Sequence, residues 1–180
     1  MATLRELKGR IGSVASTEKI TGAMKMISSA KMHKAEQALR RLLPFRQQIE
    51  TIIGNLLSAD AQFSSPLLET REVKRIGIVV FGSDDGLCGA YNVNIFKRLI
   101  EIITGYKSTY GNDVEIDVYT VGSKIAKAVR KIANGKIRMI SDNGVDSKSE
   151  SGDVKLFVAS LQEKFIAGEV IRANSAAEER

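Results

Sequence analysis

The segment of this chain best suited to hold a phosphate runs from Gly82 to Gly89, Gly-Ser-Asp-Asp-Gly-Leu-Cys-Gly. It follows a short apolar run, and backbone N–H groups at a strand-to-helix turn can hold an anion. However, the glycines are spaced G-x-x-x-G-x-x-G, no Gly-Lys-Ser/Thr follows, and Asp84 and Asp85 would repel a phosphate. We therefore interpret the segment as a tight structural turn. The residues of this turn are Gly86, Leu87, Cys88, Gly89 and Asn92.

Nucleophilic and metal-dependent chemistry would need partner side chains that the sequence does not place together. Cys88 is the only cysteine and His33 the only histidine, and they lie far apart in the sequence, so we expect no Cys–His pair. Asp84 and Asp85 could contact a cation, but adjacent carboxylates on a turn are usually solvated and no further ligands lie nearby in the sequence. We expect no catalytic residue, no metal and no cofactor, and therefore a non-catalytic protein.

The length and composition of the chain fit a soluble, folded protein. Its 180 residues are 43% hydrophobic, and no stretch approaches the roughly 18 apolar residues of a membrane span. The single cysteine excludes an internal disulfide bond, and the N-terminus lacks the apolar run of a secretory signal. We therefore expect a reducing, cytoplasm-facing location.

Residues 1–57 are predicted to form one long coiled-coil helix. They contain a single proline, Pro44, no run of turn residues, and apolar residues at a spacing of seven with a second series offset by four. With a rise of about 1.5 Å per residue, this helix would be about 80 Å long. The apolar seam of the helix consists of Leu7, Ile11, Val14, Ala35, Leu42, Ile49 and Leu56.

The predicted helix needs a partner. A domain built from the remaining residues would be about 30–40 Å across, so half the helix would protrude, and an apolar stripe needs packing to be stable. In the middle of the seam the apolar residues move around the helix to Ile20, Met24 and Ile27.

The net charge of +6 is concentrated in this helix, because residues 1–57 contain ten basic and four acidic residues whereas residues 58–180 contain 17 of each. The basic residues wind around the helix, whereas a major-groove reader or an interfacial membrane helix would gather them opposite one apolar face. We favour an acidic protein partner. The alternative is a basic coiled-coil adaptor that binds nucleic acid.

The rest of the chain is predicted to be a small Rossmann-like α/β domain. Residues 58–73 have the composition of a linker, and residues 74–168 alternate between strand and helix patterns. Strand patterns cover 75–81, 114–121 and 137–140, and helical patterns cover 92–103, 123–133 and 153–165. The fold class is therefore α/β, a long N-terminal coiled-coil helix followed by a small parallel domain.

Two separated runs of residues resemble the gamma subunit of the bacterial rotary (F-type) ATP synthase. The first is Arg10-Ile-Gly-Ser-Val-Ala-Ser-Thr-Glu-Lys-Ile-Thr-Gly-Ala-Met-Lys-Met26, followed by Ala30-Lys-Met32. The second is Asp85-Gly-Leu-Cys-Gly-Ala-Tyr-Asn92. The resemblance extends from about residue 2 to Gly168.

The resemblance implies a non-catalytic central-stalk subunit, or rotor shaft, that couples proton flow to ATP synthesis. In this family the N- and C-terminal helices form an antiparallel coiled coil inside a hexamer of alpha and beta subunits. The α/β domain lies beside the epsilon subunit and the membrane c-ring, which implies a peripheral location on the cytoplasmic face of the bacterial inner membrane and no nucleic-acid partner. The residues implied to contact the beta subunits are Lys8, Lys19, Ile20, Met24 and Lys25.

The end of the sequence departs from the family pattern. The family continues after Val170 with a strand, further structure and a long C-terminal helix, whereas this chain closes with a tail, residues 169–180. We expect that most of the C-terminal segment, with its c-ring contacts, is missing. Because the seam then has no long partner in the chain, we expect the chain alone to self-associate through residues 1–57 or to leave the distal end of the helix disordered.

Overall fold

The computed structural model describes residues 3–59, 64–69, 71–141, 143–146, 149–169 and 172–175. The chain divides into two compact units, Met1–Phe63 and Ser64–Arg180. The first unit contains one long helix, and the second contains the sheet and the other helices. Residues 60–63 and 70 of the predicted linker, and 170–171 and 176–180 of the predicted tail, lie outside the described residues.

The first unit is a single α-helix, α1, over Leu4–Ser58. Thr3 caps its start, because the Thr3 side chain accepts a hydrogen bond from the backbone N–H of Glu6 at 3.4 Å. Pro44 lies inside α1 and cannot donate the usual hydrogen bond to the carbonyl four residues earlier, yet the helix continues to Ser58. Every described residue of this unit is exposed. The long helix predicted from the apolar spacing is confirmed.

The second unit is built on a parallel four-stranded sheet. Its strands, in the spatial order β3-β2-β1-β4, are β1 (Arg75–Phe81), β2 (Glu115–Val121), β3 (Ile137–Ile140) and β4 (Arg172–Ser175). β1 and β2 pair along their whole length with Ile78 opposite Val118, and both strands are rich in the β-branched residues that favour a pleated sheet. The predicted α/β class is confirmed.

β4 is a strand that the sequence patterns did not predict. The three predicted strands contain apolar runs, whereas the residues of β4 read Arg-Ala-Asn-Ser. β4 pairs in parallel with β1, with Ile76 opposite Arg172 and Val79 opposite Ser175. Part of the segment predicted as a tail therefore completes the sheet, because the backbone of β1 offers hydrogen bonds regardless of the side chains that pair with it.

Three helices connect the strands: α2 (Tyr91–Tyr110), α3 (Ser123–Val129) and α4 (Ser151–Ile166). α2 continues past its predicted end at Ile103 because the tyrosines of its last turns pack partly against the core, and it ends at Gly111, whose φ is 90°. α3 is shorter than predicted. Its regular part ends at Val129, since Asn134 then accepts backbone hydrogen bonds that begin the turn into β3.

The sheet buries side chains on both of its faces. One face packs against α2 and α3, and the main buried residues of this core are Ile76, Ile78, Val80, Leu99, Ile116, Val118, Ile125 and Val129. On the other face Val79, Tyr119 and Val121 pack against Phe157 and Leu161 of α4. This packing on two sides fixes the carboxyl ends of β1 and β2, where the predicted structural turn begins.

Arg71 joins the segment predicted as a linker to α4. Its Nη1 donates hydrogen bonds to the carbonyls of Phe165 and Ile166 at 3.0 and 3.3 Å. These carbonyls lie in the last turn of α4, where helical hydrogen bonds run out. Glu69 contacts the same guanidinium at 2.6 Å. Part of the predicted linker is therefore folded together with the sheet and helices of the second unit.

Lys136 lowers the pKa of Asp113, which lies in the turn before β2. The Lys136 Nζ to Asp113 Oδ1 distance is 2.6 Å, and this hydrogen bond, together with the lysine charge, favours the ionised carboxylate. We expect Lys136→Met to return the pKa of Asp113 to near 3.8, as measured by NMR titration of the side-chain carboxyl group.

The sign of the effect on stability follows from the direction of this pKa shift. Because the folded-state pKa of Asp113 is the lower one, the pair stabilises the fold at neutral pH, and the contribution disappears as the pH falls through that pKa. Lys155→Met removes the same charge from α4 and should leave the pKa of Asp113 unchanged. An equal effect of both substitutions would contradict the assignment.

Candidate functional site

The five residues expected to contact partner subunits are exposed on α1, but they do not form one face. A helix turns by about 100° per residue. Lys8 and Lys19, eleven residues apart, therefore share one face, and Ile20 and Met24, four residues apart, share another. Lys25 lies apart from both pairs. The structure thus brings these residues together as two pairs, and their roles in contacts stay predictions.

Ile20 and Met24 belong to an exposed apolar stripe that Ile27 completes. The spacing i, i+4, i+7 places the three side chains on one face, and they are 63%, 48% and 58% exposed. We call these three residues the middle stripe. Ile27 was absent from the expected contact residues, although its spacing from Ile20 could have identified it. Exposed apolar surface of this kind is typical of interaction sites.

Positive charge without acidic partners surrounds the middle stripe. Ion pairs on α1 join Glu6 to Arg10 at 3.2 Å, Glu36 to Arg40 at 2.9 Å and Arg46 to Glu50 at 2.8 Å, and these residues lie outside the range 11–35. Within that range the only acidic residue is Glu18, and the basic residues are Lys19, Lys25, Lys31 and Lys34. None of these lysines forms an ion pair with a described residue. Such a surface favours an acidic partner.

The seam of α1 is exposed at both of its ends. Near the N-terminus, Ile11 and Val14 are 63% and 68% exposed, and further along Ile49 and Leu56 are 39% and 43% exposed. The other seam residues, Leu7, Ala35 and Leu42, are exposed as well. Among the described residues, no side chain of α1 is buried. The seam is therefore free for a second helix or a surrounding protein, which is consistent with the predicted coiled coil.

The predicted structural turn connects β1 to α2, and Asn92 holds it in place. The Asn92 Oδ1 accepts the backbone N–H of Ser83 at 3.0 Å, and its Nδ2 donates to Ser83 Oγ at 2.7 Å and to Cys88 Sγ at 3.2 Å. Leu87 and Gly89 have φ angles of 62° and 58°, in the left-handed region. One asparagine side chain thus closes the whole turn.

The polar groups at the start of this turn form hydrogen bonds with other parts of the second unit. The Gly82 N–H donates to the carbonyl at the end of β2 at 2.7 Å, and the Ser83 N–H is bonded to Asn92. The Asp84 carboxylate accepts the backbone N–H of Ser123 at 2.6 Å, at the start of α3. These N–H groups are therefore not available to a phosphate.

Among the described residues, no group of three or more His, Cys, Asp or Glu could hold a metal ion. No helix in the described ranges is long and apolar enough to cross a membrane.

Removing the Asn92 side chain should destabilise the second unit. We expect Asn92→Ala to lower the free energy of unfolding by about 1–3 kcal/mol, because it leaves the half-buried Ser83 N–H without a partner. Urea denaturation followed by tyrosine fluorescence measures this, since all four tyrosines lie between residues 91 and 119. Asn94→Ala, at an exposed position of the same helix, should change stability by less than about 0.5 kcal/mol.

Comparison with known proteins places the chain in a family. A family model described as ATP synthase matches residues 3–176. The ATP synthase gamma chain of Phocaeicola vulgatus is 46% identical over 145 residues, which are 79% of this chain and 50% of that protein. The chain belongs to the ATP synthase gamma-chain family. The gamma chain of Bacteroides thetaiotaomicron is 40% identical over 172 residues, 96% of this chain and 56% of that protein.

A solved structure, the Euglena gracilis mitochondrial ATP synthase OSCP/F1/c-ring, matches with a TM-score of 0.47 and 17% identity, over 89% of this chain and 48% of the matched one. As a member of the gamma-chain family, the chain spans about half the length of the curated relatives it matches. The family match includes α1 and all four strands, β4 among them.

Proposed function

We propose that the chain acts in the central stalk of a proton-translocating ATP synthase, as the rotor shaft that couples proton flow to ATP synthesis and hydrolysis. The observation that carries this proposal is α1, a helix of 55 residues with an apolar seam and no buried residue. A helix with this composition needs a surrounding partner, and a hexamer of alpha and beta subunits supplies one. Membership of the gamma-chain family supports the same role.

In this proposal the mechanism is mechanical and the chain is not itself catalytic. Turning an asymmetric shaft favours a different nucleotide-binding conformation in each beta subunit in succession, so that shaft orientation acts as an allosteric effector. The middle stripe and the lysines around it give α1 the asymmetry that this mechanism needs. Nucleotide chemistry then belongs to the beta subunits.

The proposed partners follow from the two units. The first unit lies inside the alpha/beta hexamer, with the middle stripe and its lysines against an acidic loop of the beta subunits. The second unit lies beside the epsilon subunit and the membrane c-ring. In this proposal the protein is peripheral to the membrane and lies on the cytoplasmic face of the bacterial inner membrane.

Assembly with purified alpha and beta subunits tests the proposal. We expect the chain to co-purify with the hexamer and, alone, to show no ATP hydrolysis. Ile20→Asp combined with Ile27→Asp should weaken this association, because it places negative charge on the middle stripe facing an acidic loop. Failure to bind the hexamer, or ATP hydrolysis by the chain alone, would contradict the proposal. Tight duplex DNA binding that falls steeply with salt would instead favour the nucleic-acid alternative.

A lysine at position 24 should impair coupling in the ATP synthase that contains this sequence. Met24 is half exposed, and its flexible side chain can slide along a partner surface without fixing it. A lysine there could form an ion pair worth about 1–3 kcal/mol with an acidic beta loop in one rotational state. The rate at which the shaft leaves that rotational state would then fall by about 5- to 150-fold.

Protons pumped per ATP hydrolysed, measured in membrane vesicles, report this effect. The ratio should fall in Met24→Lys while the complex still assembles. Met26→Lys adds the same charge at an exposed position two residues away, on a different face of α1, and should leave the ratio near its original value. An unchanged ratio in Met24→Lys would remove Met24 from the contact surface.

A further inference from the structure

We propose that the exposed face of α3 and of the turn after it binds the surface of an anionic lipid bilayer. Four cationic side chains within eight consecutive residues form this face, which we call the α3 basic patch. Its members are Lys124, Lys127, Arg130 and Lys131. All four are exposed.

The cations of the α3 basic patch point away from the core. Ile125 and Val129 are fully buried against the sheet and fix which side of α3 faces inward. The Arg130 N–H still bonds to the carbonyl four residues earlier, and the Lys131 N–H to the carbonyl three residues earlier, so both continue the helical path. At about 100° per residue the four cations fall within an arc of about 120° opposite the buried pair.

The charge of this patch is not neutralised within the described chain. The sequence has no acidic residue from 118 to 141. The other two cations of that stretch are paired, Lys136 with Asp113 at 2.6 Å and Arg138 with Asp117 at 2.7 Å. None of the four patch residues forms an ion pair with a described residue. Their mutual repulsion therefore has no local compensation.

Helix stability does not account for the patch. Cations near a helix C-terminus interact favourably with the helix dipole, which gives a local reason for Lys127 at the end of α3. Lys124 is the second residue of α3, where the same dipole disfavours a positive charge. Binding of an anionic ligand at the surface explains why positive charge extends over both ends of α3.

The composition of the patch favours lipid headgroups over other anionic partners. Protein interfaces are enriched in aromatic residues and Arg and depleted of Lys, whereas three of these four cations are Lys. The exposed residues between 123 and 136 include no aromatic side chain on which a base could stack. Clusters of four or more Lys or Arg on an amphipathic helix are typical of binding to anionic membrane surfaces.

Vesicle sedimentation with the full chain tests this inference. The chain should bind phosphatidylcholine vesicles that contain phosphatidylglycerol and should not bind pure phosphatidylcholine. Each cation contributes about five-fold to the partition coefficient, so Lys124→Gln, Lys127→Gln and Lys131→Gln together should lower it about 100-fold. The corresponding triple arginine variant keeps the charge and should bind like the original chain.

A second triple variant separates the patch from overall charge. Lys19→Gln, Lys25→Gln and Lys31→Gln remove the same charge from exposed positions of α1, and binding should then fall much less than in the α3 variant. Equal loss in both variants, or unchanged binding in the α3 variant, would overturn the inference. So would a patch-dependent affinity for duplex DNA without vesicle binding. The assay uses no other subunit, so failure here leaves the proposed stalk function untouched.

Discussion

Gly122→Ala should lower the free energy of unfolding of the second unit by about 2–6 kcal/mol. Gly122 directly follows β2 and has a φ of 111°, a backbone conformation that residues other than glycine rarely adopt and that costs them about 1–3 kcal/mol. A Cβ atom there would also lie 2.5 Å from the Gly82 carbonyl oxygen, and relieving such overpacking costs about 1–3 kcal/mol more. Tyrosine fluorescence during urea denaturation measures the loss.

Two other glycines separate the two contributions. Gly111 has a φ of 90° with nothing near its Cβ position, so Gly111→Ala tests backbone strain alone. Gly82 has no positive φ, but its Cβ would lie 2.6 Å from the Ile125 side chain, so Gly82→Ala tests crowding alone. Each should cost less than Gly122→Ala. If Gly122→Ala lowered the free energy of unfolding no more than Gly111→Ala does, the close approach of Gly122 to Gly82 would not contribute to stability.

Arg138 and Asp117 form an ion pair on the face of the sheet that packs against α4. We expect Arg138→Met to lower the free energy of unfolding more than Asp117→Ala does. Asp117 is 3% exposed, and Arg138 holds both of its carboxylate oxygens, at 2.7 and 2.9 Å. The hydrogen bonds that Arg138 donates to the Asp117 carboxylate in turn raise the pKa of Arg138. Removing the arginine leaves a buried carboxylate without its partner and should cost about 1–3 kcal/mol.

The reverse substitution should cost less, because the two partners differ in their access to water. The Arg138 side chain is 46% exposed, so in Asp117→Ala the guanidinium can be solvated. Asp117→Leu combined with Arg138→Met replaces the pair with apolar groups and should recover most of the loss. A double variant as unstable as the sum of the single variants would show that the pair is not the cause.

Elements that repeat a pattern along the chain could be predicted from sequence. α1 is predicted because its apolar spacing continues without turn residues; the observed helix begins at Leu4, three residues after the predicted start, and ends one residue after the predicted end. β1, β2 and β3 are short apolar runs, and each was predicted within one residue of its observed bounds. In these segments local propensity and burial favour the same structure.

Contacts between distant parts of the chain could not be predicted in this way. β4 has no apolar pattern of its own and exists as a strand through its pairing with β1. The hydrogen bonds of Arg71 to the end of α4 join residues 94 and 95 positions apart. At the candidate site, spacing predicted the middle stripe, but what covers it depends on another molecule. The chemistry of that partner is not encoded in the periodicity of α1.

The lack of burial in α1 has a consequence for the order of folding. The hydrogen bonds of α1 are local, and such a helix forms within about a microsecond, whereas β1 must find partners about 40 and 96 residues away before the sheet exists. During synthesis the residues of α1 therefore leave the ribosome before those of the sheet and form helical turns early, but these turns open and close until a partner stabilises them. Its backbone amide protons exchange with water through local openings until another protein covers the seam. Slow exchange along α1 would then be a direct measure of assembly, independent of the state of the sheet.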